Sequence, residues 1–147
     1  MMANRKPICA KACGPDMSLD YHELPEGVHG WLFEPVVTLL VWDRKYAVKL
    51  ERPAYFYSRV AERWIEIPEG FPSDLLTIPW FVRWLISQSG PGRAEALHHD
   101  FLCDTRPDWC NSKMACDILE EGLILSAIPK RRRKAIVKGV RIGGPRF

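Results

Sequence analysis

The chain lacks any run of about eighteen apolar residues, the length an α-helix needs to cross a hydrocarbon core, so no transmembrane segment is expected. It is poor in net charge: 21 Lys and Arg against 18 Asp and Glu leave +3, too little for nucleic-acid binding to rest on charge alone. The basic start Met1-Met2-Ala3-Asn4-Arg5-Lys6-Pro7 has no apolar stretch behind it, so the expectation is no secretory leader and folding in a cytoplasm. An odd set of cysteines, Cys9, Cys13, Cys103, Cys110 and Cys116, excludes a fully paired disulfide framework. In a reducing compartment they are expected to be free thiols unless a metal gathers them. No internal repeat is visible.

What is present fits one globular core. The chain has 147 residues, 47% of them apolar and 27% charged, enough for a single domain and too short for two comfortable ones. Residues 1–30 carry Pro7, Pro15 and Pro25, Gly14, Gly27 and Gly30, and no sustained apolar period, so they read as an irregular extension before one domain at 31–147. Trp31 to Trp42 is dense in β-branched and aromatic residues and is strand material. Asp43-Arg44-Lys45 supplies a turn, and Tyr46, Val48 and Leu50 alternate with Ala47, Lys49 and Glu51, so a hairpin is expected. Tyr55-Phe56-Tyr57 and Trp64, Ile65 and Ile67 read as two further strands.

After Gly70 the pattern changes to helices. One is expected from Ile78 to about Ile86 with Thr77 as N-cap, and a second from about Arg93 to Cys103. A third, capped by Asn111 or Ser112, runs to about Leu125. The fourth opens at Pro129, carries Ala135, Ile136 and Val140 on one side, and closes at Gly143-Gly144. Strands first and helices afterwards predict an α+β class: a small antiparallel sheet from the N-terminal half packed with three to four helices from the C-terminal half.

Polar groups stand out among these apolar segments. Gly70-Phe71-Pro72-Ser73-Asp74-Leu75-Leu76-Thr77-Ile78-Pro79 holds a turn-borne carboxylate, and Ala96-Leu97-His98-His99-Asp100-Phe101-Leu102-Cys103 holds two histidines and a second one. In core-like company such groups must be paired or they cost stability. Leu97 and Phe101 mark an apolar stripe, His99 and Cys103 share the neighbouring one, and Asp100 follows about 100° further round. One of His99 and Asp100 should therefore face a cleft and the other a packing partner. Asp117, between Met114, Ile118 and Glu121, sits at the edge of an apolar face.

With the spacing Gly70-Phe71-x-x-Asp74-x-x-Thr77-Ile78-Pro79, then Ala96 to Leu102, then Ala115-Cys116-Asp117 and Gly122, the chain resembles the phage and prophage family catalogued as domain of unknown function 1353. The basic segment Ala135-Ile136-Val137-Lys138-Gly139-Val140-Arg141-Ile142-Gly143-Gly144 fits that family's final stretch. The resemblance runs from about Trp31 to Gly144. It departs at Cys103, where the family usually has Tyr, and at Leu76-Thr77, where it has a small residue and Ser. It implies a bacteriophage origin and no particular chemistry.

A local similarity points to mechanism. His99-Asp100 with Asp117 is similar to the helix pair of His-Asp calcium-dependent secreted phospholipases. That similarity implies His99 as general base, Asp117 as its orienting carboxylate, and Asp100, helped by Asp74, as ligand of a divalent ion, calcium or zinc. The chain has neither the glycine-rich calcium loop nor the disulfides of those enzymes. A plain structural role competes for each residue: Asp74 capping a helix, and His99 tying a loop to two helices.

A second metal candidate lies in the front segment, where Cys9, Cys13, His22 and His29 could hold zinc. The basic helix reads as a solvated face and gives no support for sequence-specific nucleic-acid binding. Trp31, Trp42, Trp64, Trp80, Trp84 and Trp109 read as core or interface anchors. The expected function is a bacteriophage structural or accessory protein, a component of the tail or tail tip in contact with other phage structural proteins. Its expected location is the virion or the host cytoplasm. The alternative is a metal-dependent hydrolase acting on envelope lipid or peptidoglycan.

Overall fold

The computed structural model describes residues 27–42, 45–73 and 93–147. Six strands precede three helices among the described residues, the α+β arrangement expected from the sequence. The strands are β1 (Gly30–Trp31), β2 (Val37–Trp42), β3 (Lys45–Leu50), β4 (Ala54–Ser58), β5 (Arg63–Ile67) and β6 (Pro72–Ser73). The helices are α1 (Arg93–Thr105), α2 (Ser112–Leu125) and α3 (Lys130–Gly143). The helix expected from Ile78 lies outside the described residues.

The strands divide into two antiparallel three-stranded sheets, ordered β1-β4-β5 and β2-β3-β6. The hairpin forms in the register Val37 opposite Leu50 and Trp42 opposite Lys45. In the other sheet β4 is central, with Trp31 opposite Phe56 and Phe56 opposite Ile65. Along β4, Ala54 and Phe56 face the helices, while Tyr55, one residue out of phase, is buried on the opposite face against Leu32 and Trp64.

Helix α2 starts where Asn111 accepts a hydrogen bond from the Met114 N–H at 2.9 Å, the N-cap expected from the sequence. Helix α3 begins after Pro129, which fixes φ where no helical N–H is needed. Its buried positions are Ile136, Val137, Gly139 and Val140. Ala135, expected on that inner face, is exposed, because Val137 takes the adjoining position on the stripe.

Helix α1 holds the core together. Ala96 packs with Cys116, Leu119, Leu123, Ile136 and Val140 from the other helices. Leu102 packs with Phe56, Ile65, Ala115 and Ile118, and Leu97 with Leu50, Ile67 and Phe71. With apolar residues committed in three directions, α1 has no open side between Ala96 and Leu102. Everything polar on that stretch is therefore inside.

Candidate functional site

His98, His99 and Asp100 are all buried, at 0%, 1% and 4% exposure. The expectation that one of His99 and Asp100 faces a cleft is thus corrected, because α1 is covered on both sides. Asp100 Oδ2 accepts a hydrogen bond from the Ser73 hydroxyl on β6, tying helix to sheet edge. His99 lies against Cys103 one turn on, with the sulfur 3.7 Å from each ring nitrogen. Burial lowers His99 to about 4, so the ring is neutral. Burial, followed by the neighbouring Asp100, pushes the Cys103 thiol up to about 12. Cys103 is an inert packing group.

Asp117 does not reach His99. Its Oδ2 accepts from Lys113 Nζ at 2.8 Å and its Oδ1 from Arg141 at 2.8 Å, on the outer side of α2. The aspartate that the phospholipase similarity assigns to orienting a base instead links α2 to α3. Asp74, Cys9, Cys13 and His22 lie outside the described residues. Among the described residues, no group of three or more His, Cys, Asp or Glu could hold a metal ion.

His98 is fully buried between the strand and helical halves. Trp31 stacks on its ring at 5.5 Å and Phe56 tilts against it at 4.6 Å. Neither ring nitrogen has a hydrogen-bond partner among the described residues. Burial, and then the neighbouring His99, lowers it to about 3. It is accommodated because Gly122 on α2 has no side chain: a Cβ there would lie 2.9 Å from His98 Nε2 and 2.7 Å from Glu95 Cγ. Glu95 is buried beside it and accepts a hydrogen bond from the Ser126 hydroxyl.

A second polar cluster lies at the other end of β1. Glu121 Oε2 accepts from the Ser58 hydroxyl at 2.6 Å, and Oε1 accepts from the Arg59 N–H at 2.7 Å and meets His29 Nε2 at 2.7 Å. Glu121 thus joins the strand half to the helical half; His29 immediately precedes β1, which carries Trp31, the residue stacked on His98. The sequence carries a signal for it. Met114, Ile118, Glu121 and Leu125 follow one helical stripe, and a carboxylate inside an apolar stripe calls for a buried partner. An open hollow of about 420 Å³ lies alongside, lined by His29, Val60, Asp117, Glu120, Glu121 and Ile124.

These features define a small α+β domain whose two halves are joined by buried polar contacts from α1 and α2. The family model described as "Protein of unknown function (DUF1353)" matches residues 48–140, more than half of the chain, and the chain belongs to that family. The matched span contains the His98-His99-Asp100 run, Gly122 and Glu121, while His29 and Trp31 precede it. No curated protein and no solved structure matches the chain.

Proposed function

We propose that this chain is a bacteriophage structural or accessory protein, a component of the tail or tail tip that contacts other virion proteins, located in the virion or, before assembly, in the host cytoplasm. The observation that carries the reading is the sealing of the His99-Asp100 run. A general base must meet its substrate within hydrogen-bond reach, whereas His99 is 1% exposed and Asp100 is bonded to Ser73. Such a cluster serves as a clamp between sheet and helices. The family resemblance supports the phage setting. Exposed Phe33, in the link between β1 and β2, Val37 at the start of β2, and Ile124, Leu125 and Ile142 on the helices supply apolar surface for contacts with other subunits.

Mass spectrometry of purified phage particles tests the reading, with this chain expected among the virion proteins. Particles that lack it exclude a virion role. The hydrolase alternative needs a different result: purified protein that cleaves envelope lipid or peptidoglycan, and loses that activity in a folded His99→Ala variant.

A further inference from the structure

The net charge of +3 conceals a segregation. Eight of the 21 Lys and Arg, and none of the 18 Asp and Glu, lie after Pro129. The rest of the chain is therefore net acidic, and α3 with the residues after it is the basic end. Arg133 pairs with Glu120 and Arg141 with Asp117. The exposed Lys130, Arg131, Lys134 and Lys138 have no such partner among the described residues. With 3.6 residues per turn, these four and Arg141 fall within an arc of about 100° and a length of roughly 16 Å.

Two local conflicts meet on this face. Lys130, Lys134 and Lys138 follow one another at four-residue intervals, where like charges repel from turn to turn. Lys130 and Arg131 also open the helix, and its first turn holds no acid, so cations stand at the positive end of the helix dipole. Natural chains break local rules of this kind chiefly where function sets the residues. A partner with closely spaced negative charge relieves both conflicts.

The composition of α3 selects that partner. Ile136, Val137 and Val140 are buried against the other helices, so the apolar stripe of α3 is not free to enter lipid. Ile142, near its far end, is the one large apolar side chain that α3 exposes. The helix carries no aromatic residue on which unpaired bases could stack. Long cationic side chains along one helix face match instead the phosphates of a duplex, which present one negative charge per about 1.7 Å of axis. We propose that the outer face of α3 docks on the phosphate backbone of double-stranded DNA, without reading its sequence, through Lys130, Arg131, Lys134 and Lys138. This inference does not depend on a virion role.

The test is fluorescence anisotropy of a labelled DNA duplex of about 20 base pairs, titrated with the full chain between about 50 and 200 mM salt. The expected result is binding indifferent to sequence, with a slope of log affinity against log salt of about −3 to −4, as four phosphate contacts release their counterions. Lys134→Gln/Lys138→Gln, checked for folding by circular dichroism, binds at least about tenfold more weakly at the lowest salt, with a slope shallower by about 2. If that variant does not fold, Lys130→Gln/Arg131→Gln should show the same losses. Absence of binding at about 50 mM salt, or affinity and slope unchanged in the folded variant, overturns the docking face. Equal or tighter binding to a single strand of the same length, or to vesicles of anionic phospholipid, overturns the choice of a DNA duplex as its partner.

Discussion

Gly122 and His98 approach so closely that a single methyl group has no place between them: a Cβ on Gly122 would stand 2.9 Å from His98 Nε2. The same atom would stand 2.7 Å from Glu95 Cγ, and both neighbours are buried. Gly122→Ala should therefore destabilise the fold by overpacking, by about 1–3 kcal/mol. The urea midpoint checks this. An unchanged midpoint would mean that α1 and α2 separate freely.

Acid should weaken the fold through the two histidines of α1. Their folded values, about 3 for His98 and about 4 for His99, lie below the ordinary 6.5. Between those values the unfolded chain takes up protons that the folded chain refuses. Their stabilisation is complete above about pH 6.5 and declines as pH falls toward 4 and then 3. The slope reaches about 1.4 kcal/mol per pH unit for each histidine. Urea midpoints between pH 7 and 4.5 measure it, and His98→Leu should remove its share of the slope.

Asp117→Asn should change little. The two pairs it makes, with Lys113 and Arg141, involve half or more exposed cations. Such pairs are worth about 1 kcal/mol or less. A shift of the melting temperature by a few degrees at most is expected, shrinking further in high salt. A loss of several kcal/mol would contradict the surface placement of this carboxylate.

The three cysteines of the helical half should be unreactive in the folded state. Cys103, Cys110 and Cys116 are buried, and burial pushes Cys103 to about 12, Cys110 to about 11 and Cys116 upward. Thiolate is the reactive form. In a Cys9→Ser/Cys13→Ser background, a disulfide exchange reagent at pH 8 should find no fast thiol in the native protein and all three after denaturation.

The local elements were legible because local chemistry writes them. The alternation around Tyr46, Val48 and Leu50 predicts β3, and Asn111 before an apolar stripe predicts the start of α2. The partition of six strands into two sheets is not local: nothing within β1 or β4 states that Trp31 lies opposite Phe56. The importance of the His98-His99-Asp100 run was visible as polarity in an apolar setting. Its orientation was not, since a helix covered on both sides buries residues 100° apart equally. That same enclosure hid His98, whose partners, Trp31, Phe56 and Gly122, come from three distant parts of the chain.

The contact between His29 and Glu121 also orders events in time. The two residues are 92 positions apart, and Ser58 waits for the same carboxylate across 63. During synthesis at about 5–20 residues per second, His29 is made roughly 5–18 s before its partner exists. Strands β1, β4 and β5, complete only at Ile67, then wait about 3–11 s until Glu121 of α2 is made. An early hydrophobic sheet in search of its cap is exposed to chaperones and to misassembly, so the rate at which α2 arrives governs how much chain reaches the folded form.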